Sequence, residues 1–327
     1  MISDILFGLA SIVVGIGASY GLYWLLDQLV NRLPEKLQKA LRAWAFLLPA
    51  ATLLILILLV PLLLTFLYAF MNDGQTRFVG FDNFVDLFTD ATFIDVLINN
   101  FLWIAFVPAF TVAAGLMFAS LTNNVGPRRE RVFKSLIFMP MAISFVSAAT
   151  IWRFMYANVP PGRPEVGLFN AIVLALGGKP QAWLQLTDGR VNSFLLMIII
   201  VWLQTGFSMV LISSAIKSVP EETIEAARVD GASSLQLFWR IVFPQIWGTV
   251  MSVFITVVIM VMKIFDIVLA MTGGQFQTSV LGYMFYQEFF LNGNTGKASA
   301  IVAVLTLLIV PLMIIQVVSF RRQEAMR

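Results

Sequence analysis

Apolar residues fall into seven long runs, at roughly 5–26, 44–70, 97–121, 132–156, 191–216, 246–271 and 298–320, divided by short polar stretches. A helix of about 20 residues, rising about 1.5 Å per residue, crosses a bilayer core of about 30 Å. The pattern therefore predicts an all-α integral membrane protein with about seven transmembrane helices. Five runs hold no charged residue; the fourth contains Lys134 and Arg153, and the sixth Lys263 and Asp266. The first run opens on Asp4 where a secretory signal would be basic, and it exceeds a signal's apolar core of about 7–15 residues. It reads as a retained helix.

The polar stretches alternate in character. Lys and Arg favour cytoplasmic loops. One set holds fourteen of them: Arg32, Lys36, Lys39 and Arg42; Arg128, Arg129, Arg131 and Lys134; Lys217, Arg228 and Arg240; Arg321, Arg322 and Arg327. The other set holds six, Arg77, Arg153, Arg163, Lys179, Arg190 and Lys297. This bias predicts an outer N-terminus, a cytoplasmic C-terminus and outer loops at 71–96, 157–190 and 272–297. Within Phe78–Asn100, Phe81, Phe84, Val85, Phe88 and Phe93 interleave with Asp82, Asp86, Asp90 and Asp95 at helical spacing, which predicts an amphipathic helix at the outer surface. The loop Ala157–Arg190, with Pro160, Pro161, Pro164 and Gly177-Gly178, reads as irregular.

Composition sharpens the class. The chain is 59% hydrophobic and 12% charged, against about 45–50% and about 25% in soluble domains. With 0 His and 0 Cys it holds no Ser-His-Asp triad, Cys nucleophile, disulfide or His/Cys metal centre, so no catalytic or metal residue is expected. Its scattered basic residues give no nucleic-acid stripe. A phosphate loop of the form G-x-x-x-x-G-K-[ST] is absent from the sequence.

Ser218–Ile246, between the fifth and sixth runs, is too polar for the membrane and predicts a helical hairpin. Pro220 starts a first helix, Glu221 and Glu222 suit its positive dipole end, and Gly231 suits a left-handed C-terminal cap. Ser233 and Gln236 have capping-box spacing for a second helix, expected to end near Pro244. Here Glu225-Ala226-Ala227, then Asp230-Gly231-Ala232, then Ile241 and Pro244, resemble the EAA loop of ABC importer permeases, with Phe243 where Leu is usual. The resemblance implies that this loop, through Glu225, Ala226, Ala227, Asp230, Gly231 and Ala232, docks in a cleft of a separate ATPase. Small Ala226 and Ala227 would permit close approach to that partner.

Further stretches extend the likeness across about residues 45–325. Lys263-Ile264-Phe265-Asp266, Met271-Thr272-Gly273-Gly274, Asp82-Asn83-Phe84 and Leu136–Pro140 are similar to the sugar-importer branch related to the maltose permease, most of all its α-glucoside type. The first helix and its linker, 1–43, lie outside that common core of 44–327. The resemblance implies import of an oligosaccharide or α-glucoside by alternating access across a bacterial inner membrane. It further implies a non-identical second permease, two ATPase subunits that bind ATP and Mg, and an extracytoplasmic solute-binding protein; the chain itself would carry no cofactor. A permease for a polyol or glycerol phosphate is the alternative. An integral-membrane glycan-modifying enzyme would need clustered acids, and an ion-driven transporter would need acids inside its spans, where only Asp266 lies.

A sugar passage needs hydrogen-bonding groups and aromatic platforms facing the bundle interior. Trp202, Gln204, Thr205, Phe207 and Ser208 cluster in the fifth run, with Gln204 and Ser208 four apart on one helical face. They either line a path or bond neighbouring helices. Lys263 and Asp266, three apart, read as a pair on one helical face that either snorkels outward or faces the path. Pro140, with Ser144 and Ser147 beyond it, marks either a cavity-lining bend or a packing kink. Gly17 and Gly21 suit close helix contact.

Overall fold

The computed structural model describes residues 2–160, 162 and 165–325. Expectations placed on Pro161, Arg163, Pro164 and Arg327, and on the side chains of Asp4, Lys36, Arg321 and Arg322, lie outside what it describes. The described residues are almost wholly helical and form two compact units, 1–67 and 68–327.

In the first unit, α1 (Ile2–Asn31) and α2 (Glu35–Leu54) form a helical pair whose turn is stapled by Arg42 on Asp27 at 3.1 Å. Tyr23 stacks on Phe46. One π turn, Ile55–Leu59, joins α2 to α3 (Val60–Tyr68). Val60 N–H reaches back five residues to the Ile55 carbonyl, which accommodates Pro61, a residue without an N–H of its own. Leu47, Ile57 and Leu63 stay exposed, as lipid-facing side chains do.

The second unit opens with α4 (Asp82–Thr89) and α5 (Ala91–Asn123). The amphipathic helix predicted over 78–100 is thus a short helix followed by a new one. Asp90 divides them, because its carboxylate accepts the Thr92 N–H and caps α5. At 33 residues α5 is about 50 Å long. The predicted fourth span is not one helix: α6 (Pro127–Phe138) and α7 (Phe145–Met155) meet at 100° across a 3₁₀ turn, Met139–Ala142. Pro140 lies in that turn, and Ser144 restarts the chain by capping α7, its Oγ accepting the Ser147 N–H.

After α8 (Leu168–Ala175) the chain enters α9 (Val191–Lys217) through left-handed Gly189 and Arg190. Then come α10 (Glu221–Val229), α11 (Ser234–Leu237), a π turn Phe238–Val242 and α12 (Phe243–Met262). The second hairpin helix therefore does not end near Pro244. Phe243 N–H bonds the Phe238 carbonyl five residues back, and the helix runs on through the proline. The sixth span breaks instead at Lys263–Phe265, before α13 (Asp266–Met271). Finally α14 (Leu281–Tyr286), a π turn Gln287–Leu291 and α15 (Thr295–Ala325) complete the unit.

The core forms where α5, α9 and α12 pack along their lengths. Trp103 and Val107 of α5, Leu196, Ile200 and Met209 of α9, and Val253 and Val257 of α12 are buried together. Gly115 of α5 faces Ser208 of α9 so closely that a β-carbon there would collide with the Ser208 hydroxyl. Phe101, Phe110, Leu307 and Ile314 face outward, completing an apolar exterior around a packed interior.

Candidate functional site

The hairpin is built almost entirely by local chemistry. Glu221 and Glu222 occupy the first turn of α10, and its end is a Schellman motif: Ala232 N–H bonds the Ala227 carbonyl, and Gly231 N–H bonds Arg228, with Gly231 at φ +80°. Ser233 and Gln236 complete the predicted capping box at 2.9 and 3.4 Å, starting the helix that continues into α12.

Burial divides the hairpin into two faces. Ala227 is buried and Ile224 packs on the core, so this side anchors the hairpin to its own bundle. Ala227 is therefore not a free contact for a partner. Glu225, Ala226 and Asp230 are exposed, with Val229 87% and Leu235 72% accessible, which leaves a mixed acidic and apolar outer face. Behind α10 a cavity of about 190 Å³ separates Arg228 and Leu237 from Asn123 and Asn124 at the end of α5. The short helix thus rests on the bundle through Ile224 and Ala227, with this cavity beside them.

The candidate path residues are dispersed. Trp202 is half-buried and meets Trp152 of α7 edge-on at 5.8 Å; Phe207 is half-buried against the core. Thr205 donates to its own helix at the Val201 carbonyl, and Ser208 lies in the α5–α9 contact. Gln204 is half-buried one turn away, and its side chain has no hydrogen bond among the described residues. Gln204 and Ser208 consequently serve different surroundings. Ser144 is spent on capping α7.

Lys263 and Asp266 do not share a helical face. Lys263 ends α12, Phe265 leaves helical geometry at φ −146°, and Asp266 opens α13; no ion pair joins them among the described residues. Phe265 tilts against Tyr286 at 5.1 Å and stacks near Tyr283, while Gly282 abuts the Ile264 carbonyl, so contacts made about 18 residues downstream stabilise the break. The two broken helices meet, since α7 packs on α13 and the Arg153 guanidinium donates to the Ala270 carbonyl.

Residues 111–324 match the family described as the binding-protein-dependent transport system inner membrane component. The chain belongs to that family. This permease is 45% identical over 280 residues to the alpha-glucoside transport system permease protein AglF of Rhizobium meliloti (strain 1021), covering 85% of this chain and 82% of the relative. It is 46% identical over 279 residues to the osmoprotective compounds uptake permease protein GgtC of Synechocystis sp. (strain ATCC 27184 / PCC 6803 / Kazusa), covering 85% and 99%. Its fold matches a chain of a bacterial ABC transporter involved in the import of the acidic polysaccharide alginate, at TM-score 0.76 and 21% identity, over 88% of this chain and 99% of that one. The protein is a multi-pass permease subunit of a bacterial ABC importer, a transport component and not an enzyme.

At the end opposite the hairpin, the permease uses buried amides that periodicity does not flag. Asn99 donates to the Gln277 and Ser279 carbonyls, Asn192 to Phe276, and Asn100 accepts the Leu281 N–H at the start of α14. Arg190 bonds Asn99 and pairs with Asp95 at 2.7 Å. Together they hold a loop in which Gly273, Gly274, Phe276 and Gln277 all take left-handed φ. Similarly, the irregular loop predicted over 157–190 is organised by buried Asn170, which bonds Ala157 and Gln181 and accepts from Trp183 Nε1. The sequence signal was a polar amide inside an apolar segment.

Proposed function

We propose that this permease imports a neutral glycoside of the α-glucoside class by alternating access, driven by a separate ATPase that grips the outer face of α10. The observation that carries the coupling role is the Schellman-closed hairpin, a short helix seated on the bundle through Ile224 and Ala227 with Glu225, Ala226, Val229 and Asp230 outward. The substrate class is supported by the relative named for alpha-glucoside transport at 45% identity. On this reading the hairpin is cytoplasmic, the N-terminus is outside, and a second, non-identical permease completes the membrane pair. Two ATPase subunits bind ATP and Mg, and an extracytoplasmic solute-binding protein delivers the sugar. Gln204 and Trp202, half-buried at mid-span, are the path residues in position to meet it.

A relative named for sn-glycerol-3-phosphate transport, UgpA of Escherichia coli O157:H7, is 32% identical over 247 residues and makes that phosphorylated solute the competing substrate. Measuring ATP hydrolysis by the reconstituted complex with its binding protein separates the two. Maltose, trehalose or sucrose should stimulate hydrolysis, and glycerol 3-phosphate should not. Stimulation by glycerol 3-phosphate alone would overturn the glycoside reading.

A further inference from the structure

At the end of the bundle opposite the hairpin, a cavity of about 450 Å³ opens between the start of α5, the loop 272–279 and α14. Its volume lies within the range of about 300–1,000 Å³ of small-molecule pockets. Its charged groups are already committed. Lys297 sits 3.6 Å from Asp90 and 3.5 Å from Glu288; Asp90 caps α5, and Glu288 accepts from Asn292 and Asn294. The neutral groups are not. Gln275, Ser279, Tyr283 and Gln287 line the same space, and their side chains have no hydrogen-bond partner among the described residues.

The wall is fixed in advance. Its left-handed loop is tied by Asn99 and Asn192, and a β-carbon at Gly274 would collide with the Tyr283 ring, so glycine there sets how closely loop and ring approach. Four free neutral donors and acceptors around a rigid cavity suit a polyhydroxylated neutral solute. Asp90 and Glu288 share the one Lys297, and the negative charge left over disfavours an anion.

We infer that this cavity is a vestibule binding site for a neutral sugar, separate from the mid-span path and formed by Gln275, Ser279, Tyr283 and Gln287. Along α5, Val96 in this cavity lies about 36 Å, or 24 residues, from Ser120 in the cavity behind the hairpin, so the site belongs to solute arrival and not to coupling. The substrate class rests on the glycoside reading above; the site itself is read without transport.

The test is saturation-transfer NMR on the full permease complex in lipid nanodiscs, without binding protein, using maltose as the probe. Maltose should bind saturably. Gln275→Ala, Gln287→Ala and Tyr283→Phe should each weaken it at least about five-fold with an unchanged melting temperature. Glycerol 3-phosphate should not displace it. Absent saturable binding, equal binding by the three variants, or displacement by glycerol 3-phosphate each overturns the site. Should a variant unfold, Gln275→Glu and Gln287→Glu keep length and shape while adding charge, and wild-type maltose affinity in both would equally overturn it. A glycoside-silent ATPase with intact maltose binding here would instead sink the transport reading alone.

Discussion

Glu130 accepts from Lys134 on its own helix and from Lys217 at the end of α9, while Lys134 also donates to buried Ser213. One carboxylate thus ties the first half of a broken helix to a continuous one, just outside the fourth predicted span. The hydrogen bond from Lys134, then that from Lys217, holds its pKa below the ordinary 4.5 against the smaller opposing effect of burial. A folded-state pKa below the unfolded value stabilises the protein above the unfolded pKa, and that stabilisation is lost as pH falls through the folded value. Wild type should therefore melt higher than Glu130→Gln at pH 7, and the gap should close as the pH falls below the ordinary glutamate value. Burial pushes Asp90 up, but hydrogen bonds from Thr92 and the charge of Lys297 outweigh it and hold it low; it titrates in both proteins and cancels. A gap between the melting curves that stayed constant with pH would remove Glu130 from the clamp.

Among elements, the hairpin shows how little context the proposed coupling helix needs. A β-carbon at Gly231 would meet nothing within 4 Å, so its replacement acts through backbone alone, at φ +80°. Gly231→Ala should cost about 1–2 kcal/mol of local stability, and Gly231→Asn less, since Asn tolerates the left-handed region. The ratio of solute uptake to ATP hydrolysis should fall in the order wild type, Asn, Ala; equal ratios would detach the Schellman turn from coupling. Such caps were legible because their partners lie within five residues. The bend at Pro140 was marked by its proline, although only the structure distinguishes a 100° break from a mild kink. The break at Lys263–Phe265 has neither Pro nor Gly, and depends on Phe265 meeting Tyr286 and on Gly282 abutting Ile264. Pro244 misled for the reverse reason: a π turn absorbs it, and a missing N–H does not tell whether a helix stops or widens. Asn99, Asn170 and Asn192 were invisible as a site because each bonds backbone carbonyls far along the chain or across a loop.

For the whole molecule, continuity and breakage divide the labour. Helices α5 and α9 run 33 and 27 residues without interruption and are locked by the Gly115–Ser208 contact, so they can carry displacement along their length without bending. The broken pairs α6/α7 and α12/α13 meet through Arg153 and Ala270 and are where the bundle has backbone to yield. Force applied at α10 enters α12 directly, because α11, the π turn and α12 are one uninterrupted helix. Alternating access on this frame makes mid-span exposure depend on the ATPase state, and the native chain, with 0 Cys, gives no background to thiol labelling. Leu235→Cys should react with an impermeant maleimide only from the cytoplasmic side, and Leu176→Cys only from outside, in every state. Gln204→Cys should be labelled from the cytoplasm in the nucleotide-free complex and from outside after trapping with ATP and vanadate. Labelling of Leu235→Cys from outside would invert the topology drawn from the Lys and Arg bias, whereas labelling of Gln204→Cys indifferent to nucleotide would place it off the route and leave the mid-span amide to packing.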